Sequence, residues 1–547
     1  MPHTATNMAI VATFLIPLRS CQKDSPGVIG TILSILASWI LIAAVTTIYY
    51  FYIYPHISPL RHIPTAPQPP VHKRFMQDIQ GHQVIDWMNN VPNDGLIRAF
   101  GLLNSECLIA TSPEALKDMF VAKQYDWIKP RKRAQVLASI IGNGLVTIEG
   151  EKHKRQRKLL QPSFNFRHIQ ELYSLFWNTS KELVQCIRKT VSESGSDRVI
   201  DIQSWFARAT LDIIGSAGFG LHFNSLKYPH SDLVSRYRIM FESRAVPVVN
   251  VLAKLVPTRV LLSLPSKRLQ EISTSKTAIS THMQKVIRQR KEQLAESDQK
   301  LAEKDILSIA MQAEAYTEQE LTDHSMTFLA AGQDTTSFAL TCTLLELSRN
   351  QELQSRLRRE IRANIPSPDS EDSMINSNDI DRVPWLTAVC NETLRFYPSV
   401  DQTGRVTLKS DTVLVGEKVP KDTIVETSIV AINRYQPWWS GTPYDASEWH
   451  PERWFEDLET GKLSASGGAT DAWSFMTFIR GNRSCIGEKF ARSEMAVILA
   501  ALIGKFEFRF EGASGKGKPI EELEIHYAFT GHVSGGIWVT ATEVEGW

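Results

Sequence analysis

Six cysteines in 547 residues, with no CxxC pair and no histidine grouped beside them, leave neither a disulfide framework nor a zinc site to build on. Their scatter, at Cys21, Cys107, Cys186, Cys342, Cys390 and Cys485, suits a reducing compartment where thiols stay free. Excess charge is also missing: 60 basic against 59 acidic residues give a net charge of +1, so no global field favours nucleic acid. A small, uncharged partner fits better, with local patches deciding the rest. Internal repeats and low-complexity tracts are absent. Strand-like patterns are few, chiefly "TVLVGEKV", "IVETSIV" and "GIWVTATEV", whereas segments such as "SKELVQCIRKTV" and "NQELQSRLRREI" read as helices of mixed polarity. The body is therefore expected to be mainly α, with small β-sheets.

One long run is entirely free of charge. Residues 28 to 53, "VIGTILSILASWILIAAVTTIYYFYI", are long enough to span a bilayer as a helix and end in aromatics suited to the interface. A signal peptide would have a shorter apolar core and a small-residue cleavage site; here "YPHISPLRHIPTAPQPP" follows, a stiff proline-rich connector. The expected organisation is an N-terminal segment (1–27), a transmembrane anchor (28–53), a linker (54–74) and a single large domain (75–547). Arg61, Lys73 and Arg74 after the span outweigh Arg19 and Lys23 before it, which points the large domain to the cytosol. The sequon Asn482-Arg483-Ser484 lies inside the motif described next, where a lumenal glycan would be hard to accommodate.

The stretch "FIRGNRSCIGE", residues 478 to 488, fits the spacing Phe478-x-x-Gly481-x-Arg483-x-Cys485-x-Gly487. A cysteine alone is as readily a small core side chain. Five matched positions are far more specific, and with them the chain resembles the cytochrome P-450 family of haem-thiolate monooxygenases, over roughly residues 60 to 545. The resemblance implies a P-450 fold and a haem b cofactor (iron protoporphyrin IX) held by Cys485 as thiolate ligand. It implies that Gly481 permits the bend at the sulfur, Gly487 leaves room for the ring, Phe478 shields the sulfur and Arg483 pairs with a haem propionate.

Further motifs extend it. "FLAAGQDTTSF", residues 328 to 338, resembles the family's central helix on the oxygen side of the haem. Ala331 and Gly332 would leave room against the ring, Thr335 would bond to the backbone and open the helix locally, and Asp334 with Thr335 would relay protons. "ETLR" sets Glu392 and Arg395 one turn apart, and "PERW" supplies Arg453, which together imply a buried Glu-Arg-Arg network with a structural role. Arg405 matches an arginine that reaches a propionate. "GEKHKRQRKLLQPSF" resembles the haem-side Trp-x-x-x-Arg helix, with His153 replacing the tryptophan and Arg157 in the arginine position. His153 is open to two readings, a propionate partner or a polar surface histidine. Lys154, Arg155, Lys158, Lys489 and Arg492 are either a solvated basic face or a docking face for an acidic reductase.

The expected partners are oxygen, a lipophilic small molecule such as a polyketide or terpenoid from secondary metabolism, the membrane and an NADPH-cytochrome P-450 reductase, without nucleic acid. The expected location is the endoplasmic reticulum membrane, single-pass, facing the cytosol. Residues 244 to 265 read either as a membrane-surface lid or as a buried helix pair, and Asp401, Gln402 and Thr403 either meet an oxygenated substrate or satisfy a turn. Two other functions fit the cysteine motif: a haem-thiolate isomerase or dehydratase, which needs no proton relay, and a non-catalytic haem-binding membrane protein.

Overall fold

The computed structural model describes residues 28–74, 79–193, 198–241, 266–296, 305–312, 315–513, 523–527 and 529–547, and the 244–265 segment lies outside them. The chain forms two compact units, one of residues Met1–Met119 with Gly404–Thr427, the other of Phe120–Thr403 with Ser428–Trp547.

In the first unit, helix α1 (Val28–Ile48) runs on through Tyr49–Ile53 to Ile57. Its window Leu36–Ile57 is apolar and long enough to cross a membrane. Ile40 and Leu41 stand 70% and 65% exposed, and a helix that displays such residues all round has not found its partner surface in water. Strands β1 (Leu96–Gly101) and β2 (Ser105–Ala110) pair antiparallel. Gln402–Thr407 (β3) and Ile424–Ser428 (β4) extend this sheet, with β4 parallel to β2. The end of α1 is tied to the sheet by a buried polar knot: Arg98 pairs with Glu106 at 2.5 Å and donates to the Pro55 carbonyl at 2.9 Å, while Ser58 Oγ donates to Glu106 at 2.8 Å. A buried ion pair satisfied in this way fixes geometry more than it adds stability.

The second unit is helical. Its elements are α2 (Gly150–Leu160), α3 (Tyr173–Glu193), α4 (Ile202–Phe219), α5 (Lys267–Glu296), α6 (Glu318–Arg349), α7 (Gln351–Asn364), α8 (Pro384–Phe396) and α9 (Glu488–Lys505). Three small sheets among the described residues complete it, one of them pairing Phe455–Asp457 with Lys462–Leu463. Strand β5 (Phe506–Ala513) pairs with the last strand, and a hairpin joins β6 (Ile525–Tyr527) to β7 (Gly531–Val533); the last strand is β8 (Ile537–Glu543). Helix α6 starts on a capping box, with Thr317 and Glu320 each accepting the other's backbone N–H. Leu321, Met326, Leu329, Phe338, Leu340, Leu344 and Leu347 are buried on every side of α6, as in a helix at the centre of a core. Helix α9 is equally apolar from Met495 to Leu502. Gly332 lets α4 approach α6: a Cβ there would stand 2.8 Å from Ile214 Cδ1 and Cγ1. That residue is thus explained by helix packing within the protein, a closer constraint than the room for a ring expected from the sequence.

Candidate haem-thiolate site

The cysteine loop is shaped by two residues in left-handed backbone conformations. Ile479 has φ +56° and Gly481 φ +77°. Gly481 is required twice, since a Cβ there would also collide with the Phe120 carbonyl oxygen. At Ile479 a β-branched side chain takes a conformation it disfavours, the kind of local strain that functional loops retain. The bend brings the Cys485 N–H onto the Phe478 carbonyl at 2.7 Å and the Ser484 N–H onto the Gly481 carbonyl at 3.0 Å. Cys485 is thereby held just before the first turn of α9, where the helix dipole favours negative charge. Its side chain is accessible although densely flanked. Burial pushes the thiol up to about 11, against the opposing pull of the Gly487 N–H and the Arg157 guanidinium. A coordinated metal cation would displace the thiol proton.

Helix α2 stands behind the loop. Arg157 donates Nη1 to the Ser484 carbonyl at 2.7 Å and Nη2 to Ser484 Oγ at 3.2 Å, so it braces the residue preceding the cysteine. His153, one turn earlier, is 3% exposed. It therefore lies inside the protein, and the surface-histidine reading falls away. Arg483 is buried, pairs with Glu149 and lies 5.7 Å from the Tyr125 ring. Phe478 packs beneath Arg492, 4.9 Å from its ring, and against Phe475. Arg492 also binds Glu488 at 3.0 Å and Asn391, so it is engaged, whereas Lys154, Arg155, Lys158 and Lys489 are exposed. Arg405 belongs to the other unit. It is buried in β3 and donates Nη1 to the Gly404 carbonyl at 2.9 Å.

Two observations match these residues to a haem. Arg483 Nε and Nη1 are buried without a hydrogen-bond partner, the state of a guanidinium shaped for a further anion. A Cβ on Gly487 would meet nothing in the protein closer than Phe164 at 3.9 Å and Cys485 Sγ at 4.0 Å, so the protein itself tolerates a methyl group there. The protein's own atoms thus leave the space beside the sulfur open at this point. The residues present fit the group.

On α6, Thr335 Oγ1 donates to the Ala331 carbonyl at 2.7 Å, the i−4 bond expected of it. The helix nevertheless stays continuous through this point, so no local opening accompanies the bond. Asp334 accepts from Thr530 Oγ1 on the hairpin between β6 and β7. Ser399 Oγ donates to the Thr335 carbonyl at 2.7 Å, and the Gly531 N–H donates to the Ser399 carbonyl at 2.8 Å. Thr530, Ser399 and Ser484 were not singled out from sequence. Their partners lie 196, 64 and 327 residues away, and no local pattern carries such a pairing. The Asp401 carbonyl accepts from the Ile429 N–H at 2.8 Å, a backbone role in the turn.

The scaffold beneath is the Glu392 network. Glu392, Arg395 and Arg453 have no exposed side-chain surface. Arg395 binds the carboxylate through Nη2 at 2.7 Å and Nε at 2.8 Å, and Arg453 through Nε at 3.1 Å. The His450 N–H at 2.7 Å and Trp454 Nε1 at 3.0 Å complete its shell.

Comparison with known proteins follows the same lines. A family model described as cytochrome P-450 matches residues 75–527. The chain is 36% identical over 521 residues to cytochrome P-450 monooxygenase sphH of Aspergillus fumigatus, covering 92% of each chain. It is 33% identical over 523 residues to cytochrome P-450 monooxygenase FSL4 of Gibberella zeae, covering 91% of each.

Proposed function

Because this chain belongs to the cytochrome P-450 family, we propose that it is a membrane-anchored monooxygenase that oxidises a lipophilic small molecule, a secondary metabolite such as a polyketide or terpenoid. Haem b is the family's cofactor, and when bound it supplies the oxygen-activating chemistry. Cys485 would hold it through a thiolate, kept in place by the Phe478 carbonyl bond and the Arg157 brace. Arg483, with Arg157, Arg405 and His153, would meet the propionates, and Phe478 would shield the sulfur from water. Asp334 and Thr335 would hold and pass protons on the opposite face, where Thr335 Oγ1 rests on the Ala331 carbonyl. The exposed Lys154, Arg155, Lys158 and Lys489 would steer an NADPH-cytochrome P-450 reductase to the cysteine side. The apolar Leu36–Ile57 window would anchor the chain in the endoplasmic reticulum membrane, with the body in the cytosol.

The observation that carries this reading is the cysteine loop itself, with its left-handed turn at Gly481, its open side at Gly487 and the two Arg483 nitrogens left over from its Glu149 pair. The test is a comparison of extracts of one producing host carrying either the native chain or Cys485→Ala, by mass spectrometry under labelled oxygen gas. A compound that gains labelled oxygen only with the native chain is expected. An unlabelled product that has lost two hydrogens would still be an oxidation, whereas one isomeric with its precursor or short of one water would mean a rearrangement or dehydration instead, and a native chain that binds no haem would end the reading.

A further inference from the structure

The acid Asp334 does not stand alone on its helix. Three bonds gather α6, the turn after α8 and the C-terminal hairpin into one clasp. Thr530 Oγ1 donates to Asp334 Oδ2, Ser399 Oγ to the Thr335 carbonyl at 2.7 Å, and the Gly531 N–H to the Ser399 carbonyl at 2.8 Å. The hairpin sits on the same helix face one turn further on, where Tyr527 meets the Phe338 ring edge to face at 6.1 Å. The fit is close: a Cβ on Gly531 would stand 2.5 Å from Phe338 Cζ and 2.8 Å from its Cε atoms. Glycine is therefore what brings the hydroxyl of its neighbour Thr530 to the carboxylate.

An aspartate side chain has few rotatable bonds, and a hydroxyl donor anchored on a second element removes most of the freedom that remains. We infer that Thr530 is a positioning residue for the proton relay, holding the Asp334 carboxylate in place from the C-terminal hairpin while Ser399 holds the Thr335 backbone. The inference rests on the monooxygenase reading above, since it assigns Thr530 a role only through Asp334. It also joins the relay to the hairpin, so that whatever displaces the hairpin also releases the acid.

The experiment uses the full-length haem-loaded chain with its reductase and no added substrate, reading hydrogen peroxide released per NADPH consumed. Hydrogen–deuterium exchange of residues 523–533 is followed on the same proteins. Thr530→Val removes the hydroxyl and keeps the shape, and Thr530→Ser restores a hydroxyl. The expected result is a higher peroxide ratio for Thr530→Val, rising toward the ceiling of one peroxide per NADPH and staying below the ratio of Asp334→Asn. Thr530→Ser should stay near the native ratio, and hairpin exchange should rise only in the valine variant. In an Asp334→Asn background Thr530→Val should add nothing, because the two act as one unit. A native ratio in Thr530→Val, a serine variant that behaves like valine, or effects that multiply in the double variant would each overturn the inference and leave the family reading intact. A native ratio in Asp334→Asn alone would instead overturn the relay, and this inference with it.

Discussion

Replacing Glu392 by alanine tests whether the fold beneath the cysteine loop is held by one buried charge. The carboxylate accepts from two Arg395 nitrogens, from Arg453, from the His450 N–H and from Trp454, all within 3.1 Å. At ~1.5–3 kcal/mol for each bond to a charged group, simple addition of the five would give ~7.5–15 kcal/mol, as much as the whole stability of an ordinary domain, about 5–15 kcal/mol. Addition overshoots because five bonds that share one carboxylate are not independent. The better measure is the uncompensated charge, about 3–5 kcal/mol when one partner of a buried pair is removed. Arg395 keeps the Asn433, Ala446 and Glu448 carbonyls and Arg453 keeps that of Asp445, which holds the cost within that range. With a urea slope of ~3 kcal/mol/M, the unfolding midpoint should fall by about 1–1.7 M. Pulse proteolysis across a urea series reads this even where little protein accumulates. Glu392→Gln, which keeps the shape and loses the charge, should shift the same way, while removal of the half-exposed Arg236, which bonds only the exposed Asp232 on its own helix, should leave the midpoint nearly unmoved. A Glu392→Ala midpoint within about 0.2 M of native, with haem retained, would refute the reasoning.

Three further outcomes follow from other parts of the molecule. Burial lowers His324, between the Tyr316 and Phe328 rings, to about 4 from an ordinary 6.5. Below the ordinary value the unfolded chain takes up a proton that the folded one refuses, so stability should fall as pH drops from 6.5 to about 4, by up to about 3 kcal/mol. His324→Phe should flatten that slope in urea titrations at several pH values, and equal slopes would refute it. Gly332→Ala should destabilise by ~1–3 kcal/mol through its clash with Ile214. Combined with Ile214→Ala it should cost less than the two changes summed, and strict additivity would count against the contact. Deleting residues 28–57 should move the chain from the membrane pellet to the supernatant, and persistence in the pellet after a high-salt wash would show a second membrane contact.

The legible part of the site is the part whose chemistry is local. Phe478, Gly481, Arg483, Cys485 and Gly487 lie within ten residues, so their spacing could be read directly, as could Glu392 with Arg395 at one helical turn. Strands β1 and β2 escaped notice because LIRAFG is buried on both faces and shows no alternation to mark it. His153 was ambiguous because its helix carries Lys152, Lys154 and Arg155 around it, and only packing reveals which face turns inward.

By itself the sequence determined the family, the helical character of the body, the apolar anchor and the cysteine with its loop, because each depends on residues close together in the chain. Tertiary structure alone decided that Gly332 serves Ile214, that Arg157 braces Ser484, and that Thr530 reaches Asp334. Those partners are separated by at least a hundred residues, and a hydrogen bond or a van der Waals contact acts over a few ångströms of space without regard to distance along the chain.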